Sequence, residues 1–232
     1  MFKFKQFTIN QERCAMKVGT DGCLLGSWVD LSHTRRLLDI GTGSGLIAIM
    51  CAQRCDAQIT ALEIDSDAAA QAVENSNNSP WGNRIDIINC DALSYNSNEL
   101  FDTIVSNPPF FNSSLKCPDK ARTFARHDDS LSHQDLFKKS AELLIDGGML
   151  SVVIPNNLLD TWCNEALYKG LSTRRITHVH TLAHKPAKRV LIEFVKGAFT
   201  TPAINDFILE SSPGCYSEEA RELLRDFYLK ID

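Results

Sequence analysis

The sequence predicts a doubly wound α/β protein with a mostly parallel sheet and helices on both faces. Three observations lead there. From Leu37 onward, short apolar runs of strand length alternate with helical segments, the rhythm of βαβ units. The first apolar run ends in closely spaced glycines at 41, 43 and 45, as a turn from a buried parallel strand into a helix requires. At 232 residues the chain is long for one domain but short for two, so one α/β domain with terminal elaborations is the natural reading.

Each element follows from its local pattern. Residues 37–40 are a short apolar strand, and the apolar segment 46–51 starts a helix. Residues 58–64 read as a second strand, after which Ser66 caps an alanine-rich helix that runs to about Asn75. The run Asn77, Asn78, Ser79, Pro80 stops that helix. Strands follow at 85–88 and 101–105, then a helix at 132–144 closed by Gly147 and Gly148. A fifth strand at 149–154, a helix at 158–168 and strands at 176–182 and 190–195 complete the series. The last two strands have no helix between them, so they are expected as an antiparallel pair at the edge of a seven-stranded sheet. The tail after Pro202 holds one further strand candidate at 207–209 and a helix at 217–228. The expected division is one domain over 1–232: a lead-in at 1–36, a core at 37–197 and an extension at 198–232.

Composition narrows the function classes. Apolar residues are 44% and charged residues 23%, an ordinary globular balance. No apolar run approaches the ~20 residues that cross a bilayer, and no long apolar stretch follows the N-terminal lysines as in a signal peptide. A cytoplasmic protein without membrane contact is expected. Eight cysteines are scattered without a C-x-x-C pair. Cys51 and Cys55 stand one helical turn apart and could form half a metal site; isolated thiols in a reducing compartment are the alternative, and no metal is expected. His178 and His180 share one face of their strand, which reads as a solvated basic face. The net charge is −5, yet it is unevenly spread. Acids dominate 37–110, whereas Lys116, Lys120, Arg122 and Arg126, and then Lys169, Arg174, Arg175, Lys185, Lys188, Arg189 and Lys196, form basic stretches. These are either a basic working face on an acidic body or separate solvated patches.

The first strand leads into Asp39–Ile40–Gly41–Thr42–Gly43–Ser44–Gly45. Glycines there permit a tight turn and a close ligand approach. A dinucleotide loop of the form G-x-G-x-x-G needs glycine at 46, where this chain has Leu46. Glu63 ends the second strand, where a carboxylate accepts both hydrogens of a ribose diol and repels a phosphorylated one. Asp91, after the third strand, is placed to accept from an adenine amino group. The alternative is an ordinary strand-to-helix turn without a ligand.

Asn107–Pro108–Pro109–Phe110 follows the fourth strand, at the sheet end where open α/β folds place their chemistry. The prolines stiffen the backbone and remove two donors. The Asn107 side-chain oxygen and the Pro108 carbonyl could then accept from one planar NH2 group, hold its nitrogen still and free its lone pair for in-line attack. Phe110 offers a ring on which a flat substrate stacks. A rigid proline turn with no chemistry is the alternative.

Taken together, Asp39, Gly41, Gly43, Gly45, Glu63 and Asp91 resemble the S-adenosylmethionine site of class I methyltransferases. The tetrad at 107–110 resembles the [DNS]-P-P-[FYW] signature of members that methylate amino groups. Adenine N6, guanine N2 and the glutamine side-chain amide are all substrates of such members. The segment CAMKVGTDGCLLGSW from Cys14 to Trp28, NSPW from Asn78 to Trp81, Arg189–Val190–Leu191, and the ending around Tyr216 and Phe227–Tyr228–Leu229 resemble the bacterial tRNA1(Val) (adenine-N6)-methyltransferase family over nearly the whole chain. That resemblance implies transfer of a methyl group from S-adenosylmethionine to N6 of adenine 37, beside the anticodon. It implies tRNA as partner and a Rossmann-like core. It also implies a cofactor site of Lys17, Thr20, Asp39, Gly41, Thr42, Gly43, Gly45, Glu63, Ile64, Asp91, Ala92 and Asn107, with Asn107, Pro108 and Phe110 at the reacting centre. Lys17, Thr20 and Asp21 belong to the cofactor pocket in that family; a helix N-cap at Asp21 is the alternative. The family often carries tyrosine where this chain has Phe110. A monomer is favoured. Rival readings are a guanine-N2 ribosomal RNA methyltransferase, a protein glutamine methyltransferase and a non-catalytic cofactor-binding RNA chaperone.

Overall fold

The computed structural model describes residues 1–109, 131–197 and 201–231. In chain order the elements are β1 (Phe2–Lys3), β2 (Thr8–Ile9), α1 (Thr20–Trp28), β3 (Arg36–Ile40), α2 (Leu46–Arg54), β4 (Gln58–Glu63), α3 (Ser66–Asn77), β5 (Ile85–Asn89) and β6 (Phe101–Ser106). Then come α4 (His133–Leu143), β7 (Leu144–Pro155), α5 (Leu159–Tyr168), β8 (Leu171–Leu182), β9 (Arg189–Lys196), β10 (Ala203–Ser212), β11 (Cys215–Tyr216) and α6 (Glu218–Leu224). The main sheet runs β11-β10-β8-β9-β7-β6-β3-β4-β5, and β1 pairs with β2 apart from it.

Strands β7, β6, β3, β4 and β5 are mutually parallel neighbours. Their inner residues are apolar on both faces, as a strand covered by helices on either side must be. Leu37, Ile59 and Val105 point into one core with Leu24 of α1, Ile49 of α2 and Leu224 of α6. Leu38, Leu62 and Ile104 point into the other with Phe137 of α4 and Trp162 of α5. The chain order reverses between β3 and β6, because β4 and β5 lie on one side of β3 and β6 and β7 on the other. Such a reversal opens a crevice at the C-terminal strand ends, where α/β folds bind ligands.

Two features of the sheet differ from expectation. It has nine strands among the described residues, not seven, and the antiparallel β8–β9 pair does not form its edge. β9 is flanked by β7 and β8, and β10 adds in parallel to β8. The burial explains this: the whole run from Val190 to Val195 is hidden on both faces, which suits an interior strand. The tail strand β10 runs over ten residues, shields β8 and seats Phe207 in the core. Glu193 is fully buried in β9 but is met by the guanidinium groups of Arg174 and Arg175. Arg175 also lies 3.7 Å over the Trp28 ring, which docks α1 against the sheet.

Smaller differences concern helix ends. Asp65, not Ser66, caps α3, its carboxylate accepting from the Asp67 and Ala68 amides. Ser132 caps α4 by accepting from the Asp135 amide. That helix stops at Leu143 and passes directly into β7, so Gly147 and Gly148 lie inside a strand instead of closing a helix. The tail helix covers only 218–224, with Ser217 as its cap. The Cys55 thiol donates to the Cys51 carbonyl at 3.4 Å. Among the described residues, no three His, Cys, Asp or Glu side chains converge as a metal cage would need, and no helix is long and apolar enough to cross a membrane.

The lead-in is tied to the far end of the chain. Phe4 stacks on Phe7 at 4.5 Å, the Lys5 amide donates to the Phe227 carbonyl at 2.8 Å, and Tyr228 packs 6.0 Å from Phe4. This clasp joins the two ends of the chain.

Candidate active site

The loop after β3 is built from three left-handed glycines, with φ of 74° at Gly41, 58° at Gly43 and 81° at Gly45. The Gly41 and Thr42 amides both donate to the Leu62 carbonyl at 2.9 Å, which folds the loop over the end of β4. A Cβ on Gly41 or Gly43 would meet nothing within 4 Å, so their backbone angles, not crowding, demand glycine. Gly45 differs: its Cβ would lie 3.4 Å from that of Ala72, so it also lets α2 pack closely on α3. Leu46 is then free to be the first, buried residue of α2.

Asp39 lies beneath this loop, fully buried, and accepts from the Thr42 hydroxyl at 2.6 Å. Burial pushes its pKa up to about 7, while the Thr42 hydroxyl and the Ala48 amide pull it down and nearby Glu63 adds to the rise. An acid with a folded value above its unfolded value of about 3.9 stabilises the fold most when protonated in both states. That contribution is fully present below about pH 4 and is lost as pH rises through about 7. An Asp39→Asn variant keeps the contact to Thr42 but cannot ionise. Its thermal stability is therefore expected to lack a slope of up to about 1.4 kcal/mol per pH unit that the parent shows across this window. Melting curves of both proteins between these pH values check this; parallel profiles would count against it.

Glu63 ends β4 half-buried. Its Oε2 accepts from the Gly43 amide at 2.8 Å and its Oε1 from the Asp65 amide at 3.0 Å. A carboxylate has about four acceptor positions, so each oxygen retains capacity for a ligand hydroxyl. The Glu63 carbonyl accepts from the Cys90 amide and the Asn89 side chain, which fixes the spacing to the next strand end. There Asp91 is exposed, with Oδ1 accepting from the Leu93 amide at 2.9 Å.

Asn107 follows β6. Ser106 beside it donates to the Ile40 carbonyl at 2.8 Å and so ties the end of β6 to the end of β3. The Asn107 Oδ1 atom is buried and has no hydrogen-bond partner among the described residues. A buried acceptor left unpaired costs about 1–3 kcal/mol, and such an atom on a cleft wall is poised to receive a donor from a ligand.

These groups share one cleft of about 370 Å³, within the range that encloses a cofactor-sized molecule. Of the residues expected from sequence, Lys17, Gly41, Thr42, Gly43, Glu63, Ile64, Asp91, Ala92, Asn107 and Pro108 line it. Thr20, Asp39 and Gly45 do not: Thr20 is exposed at the start of α1, Asp39 supports the loop from below, and Gly45 faces α3. Asp21 is not the cap of α1, a place taken by Gly19; it accepts from Arg189 Nε at 2.8 Å instead. Phe110 and the basic residues from Lys116 to Arg126 lie outside the described residues.

The lead-in wall was only partly foreseen. Cys14, Ala15 and Met16 line the cleft beside Lys17. The Lys17 ammonium donates to the Gln11 and Cys14 carbonyls at 2.6 and 2.9 Å, and the Gln11 side chain accepts from the Val18 amide at 2.6 Å. In this arrangement the lysine and Gln11 shape the loop that closes the cleft. Nothing in the local pattern marks Gln11. Met16 and Ile64 are large apolar side chains more than half exposed on the cleft, an unusual cost unless a ligand covers them.

Comparison with known proteins agrees with this geometry. Residues 14–172 match the methyltransferase small domain family. The chain is 47% identical to the tRNA1(Val) (adenine(37)-N6)-methyltransferase of Bacteroides fragilis, over 99% of this chain and 98% of that protein. It is 38% identical to the protein of the same name from Photorhabdus laumondii, over 98% and 95% of the two chains. The chain belongs to the tRNA1(Val) (adenine(37)-N6)-methyltransferase family. In fold it matches a crystal structure from Agrobacterium tumefaciens described as a predicted O-methyltransferase, with a TM-score of 0.67, 20% identity and coverage of 89% and 96%. The small-domain match ends at residue 172, whereas the family likeness continues through β8, β9, β10 and α6.

Proposed function

We propose that this chain transfers a methyl group from S-adenosylmethionine to N6 of adenine 37 in tRNA1(Val), acting as a monomeric single-domain enzyme of the cytoplasm. The observation that carries the reading is Asn107 at the end of β6, which lines the cleft with the glycine loop and Glu63 and whose buried side-chain oxygen has no hydrogen-bond partner among the described residues. The residues fit the cofactor. Glu63 has acceptor capacity for a ribose diol, Asp91 stands where an adenine amino group can be met, and Ile64 and Ala92 supply apolar surface beside them. Glu63, Asp65 and Asp91 make the cleft acidic, which suits a cation. When bound, the cofactor supplies an electrophilic methyl group on a positively charged sulfur.

The chain's own residues do the positioning. Asn107 Oδ1 accepts one N6 hydrogen, and the Pro108 carbonyl accepts the other. This pair holds the amino nitrogen in one orientation and draws its lone pair out of the ring. Orientation alone can lower a barrier by up to ~7–11 kcal/mol. Phe110 stacks on the base. The methylated amine is a strong acid while cationic, so water removes its proton and no side-chain base is required. An unpaired loop base suits this arrangement, since its extrusion costs little.

Nucleoside mass spectrometry of purified tRNA1(Val) treated with the protein and isotopically labelled S-adenosylmethionine tests the reading. Labelled N6-methyladenosine at position 37 is expected. Label in N2-methylguanosine, or in a release-factor glutamine, would replace it with one of the rival substrates.

A further inference from the structure

The C-terminal edge of the sheet is electrically lopsided about Asn107. On one side, β4 and β5 end in Glu63, Asp65, Asp67 and Asp91. On the other, β8 and β9 are joined by a turn carrying His184, Lys185 and Lys188, all exposed. Because β8 runs antiparallel to β9, and β9 to β7, this turn emerges at the same sheet edge as the Asn107 loop. Strand order puts β8 three places from β6, about 14 Å away at ordinary strand spacing.

The turn is built as a rigid platform. The Lys185 amide donates to the Leu182 carbonyl at 2.9 Å, and the Lys188 amide to the Val179 carbonyl at 3.1 Å. The Lys188 carbonyl accepts from the Asn156 amide at 3.1 Å. His180 bridges the Lys185 carbonyl and the Asp206 carboxylate, both of which raise its pKa above the ordinary histidine range. Arg189 is neutralised by Asp21, and His178 is held by Asn156. Asp21 and Asp206 thus have cationic partners already, whereas Glu210, in register with Leu182, accepts from the Gly214 amide; Lys185 and Lys188 make no ion pair among the described residues. Two exposed lysines on a braced turn, set apart along the sheet edge from the acidic half, offer charge to a polyanion.

We propose that the β8–β9 turn, through Lys185 and Lys188, binds backbone phosphates of the substrate RNA and sets the side from which it reaches Asn107. This rests on the RNA-methylating reading above. A base entering at Asn107 must trail its phosphates over one half of the edge. The acidic β4–β5 half repels them, and the basic β8–β9 half attracts them.

Steady-state methylation of tRNA1(Val) by a Lys185→Glu, Lys188→Glu double variant tests the proposal. We expect KM for tRNA to rise about tenfold or more at moderate salt, with kcat at saturating tRNA and cofactor affinity unchanged. We also expect the slope of log K for tRNA binding against log salt to shrink by about 1.4–1.8, the value for two phosphate contacts. The Lys185→Arg, Lys188→Arg variant should restore parental behaviour. Lys169→Glu, at the opposite sheet edge, is the control and should leave KM in place. If the parent methylates tRNA and the Glu pair matches it in KM and salt slope, the docking proposal is overturned. If the parent methylates no RNA, the underlying reading fails instead.

Discussion

Asn107→Ala is expected to lower kcat for N6 transfer about 10²–10³-fold, the usual loss when one pre-oriented polar contact at a reacting centre is removed. The reason is the state of its oxygen. It is buried with no partner among the described residues, so the protein bears a desolvation cost that a bound donor relieves. Alanine removes that cost together with the function. The melting temperature of the variant should therefore hold or rise while turnover collapses, which is the reverse of what loss of a structural side chain produces. Cofactor affinity, measured by calorimetry, should change little, because Glu63 and the glycine loop are left intact. Asn107→Asp retains an acceptor at the same place and should keep more activity than alanine. Single-turnover rates at saturating cofactor and tRNA are the direct measurement. A variant with parental turnover, or one whose whole defect lies in cofactor affinity, would remove Asn107 from the reacting centre.

Glu63→Ala is expected to weaken S-adenosylmethionine binding by about 10²–10³-fold. Hydrogen bonds to a charged group contribute about 1.5–3 kcal/mol each, and the carboxylate serves two purposes at once. It accepts from the Gly43 and Asp65 amides, so it shapes the loop; its remaining lone pairs are available to the ribose diol. Glu63→Gln keeps one acceptor and loses the charge, so its affinity should fall between those of the parent and alanine. A double cycle separates the two purposes. If the carboxylate meets the diol, a 2′-deoxy analogue of the cofactor loses affinity for the parent and loses far less for the alanine variant. In contrast to Asn107→Ala, turnover at saturating cofactor should be largely kept. Equal penalties for the deoxy analogue in both proteins would confine Glu63 to a role in loop structure.

Much of the cleft was legible because its signals are local. A left-handed glycine every second residue after a buried strand can be read within seven positions, and the acids at 63 and 91 follow from where each strand must end. Asn107, Pro108 and Pro109 are legible for the same reason, and all three line the cleft; Phe110 lies outside the described residues. Thr20 and Gly45 enter the expected cofactor site through the family resemblance; in the fold Thr20 is exposed and Gly45 packs on α3. Asp39 sits in the signature but acts on Thr42 from below. Sequence adjacency to a ligand loop does not reveal which way a strand residue points once both faces are buried. The clamp from Gln11 to Val18 and Lys17 went unseen because a polar loop carries no periodicity.

The sequence by itself determined the alternation of strands and helices, the glycine turn, the acids at two strand ends and the prolines that follow Asn107, each encoded within a handful of neighbouring residues. Only the tertiary structure decided that β9 lies inside the sheet, that Arg189 meets Asp21 across 168 positions, that the C-terminal end clasps the lead-in, and that a basic turn shares an edge with Asn107. Those outcomes depend on strand order. Strand order is set by which long-range pairings bury the most apolar surface together, a competition that no local window of residues contains.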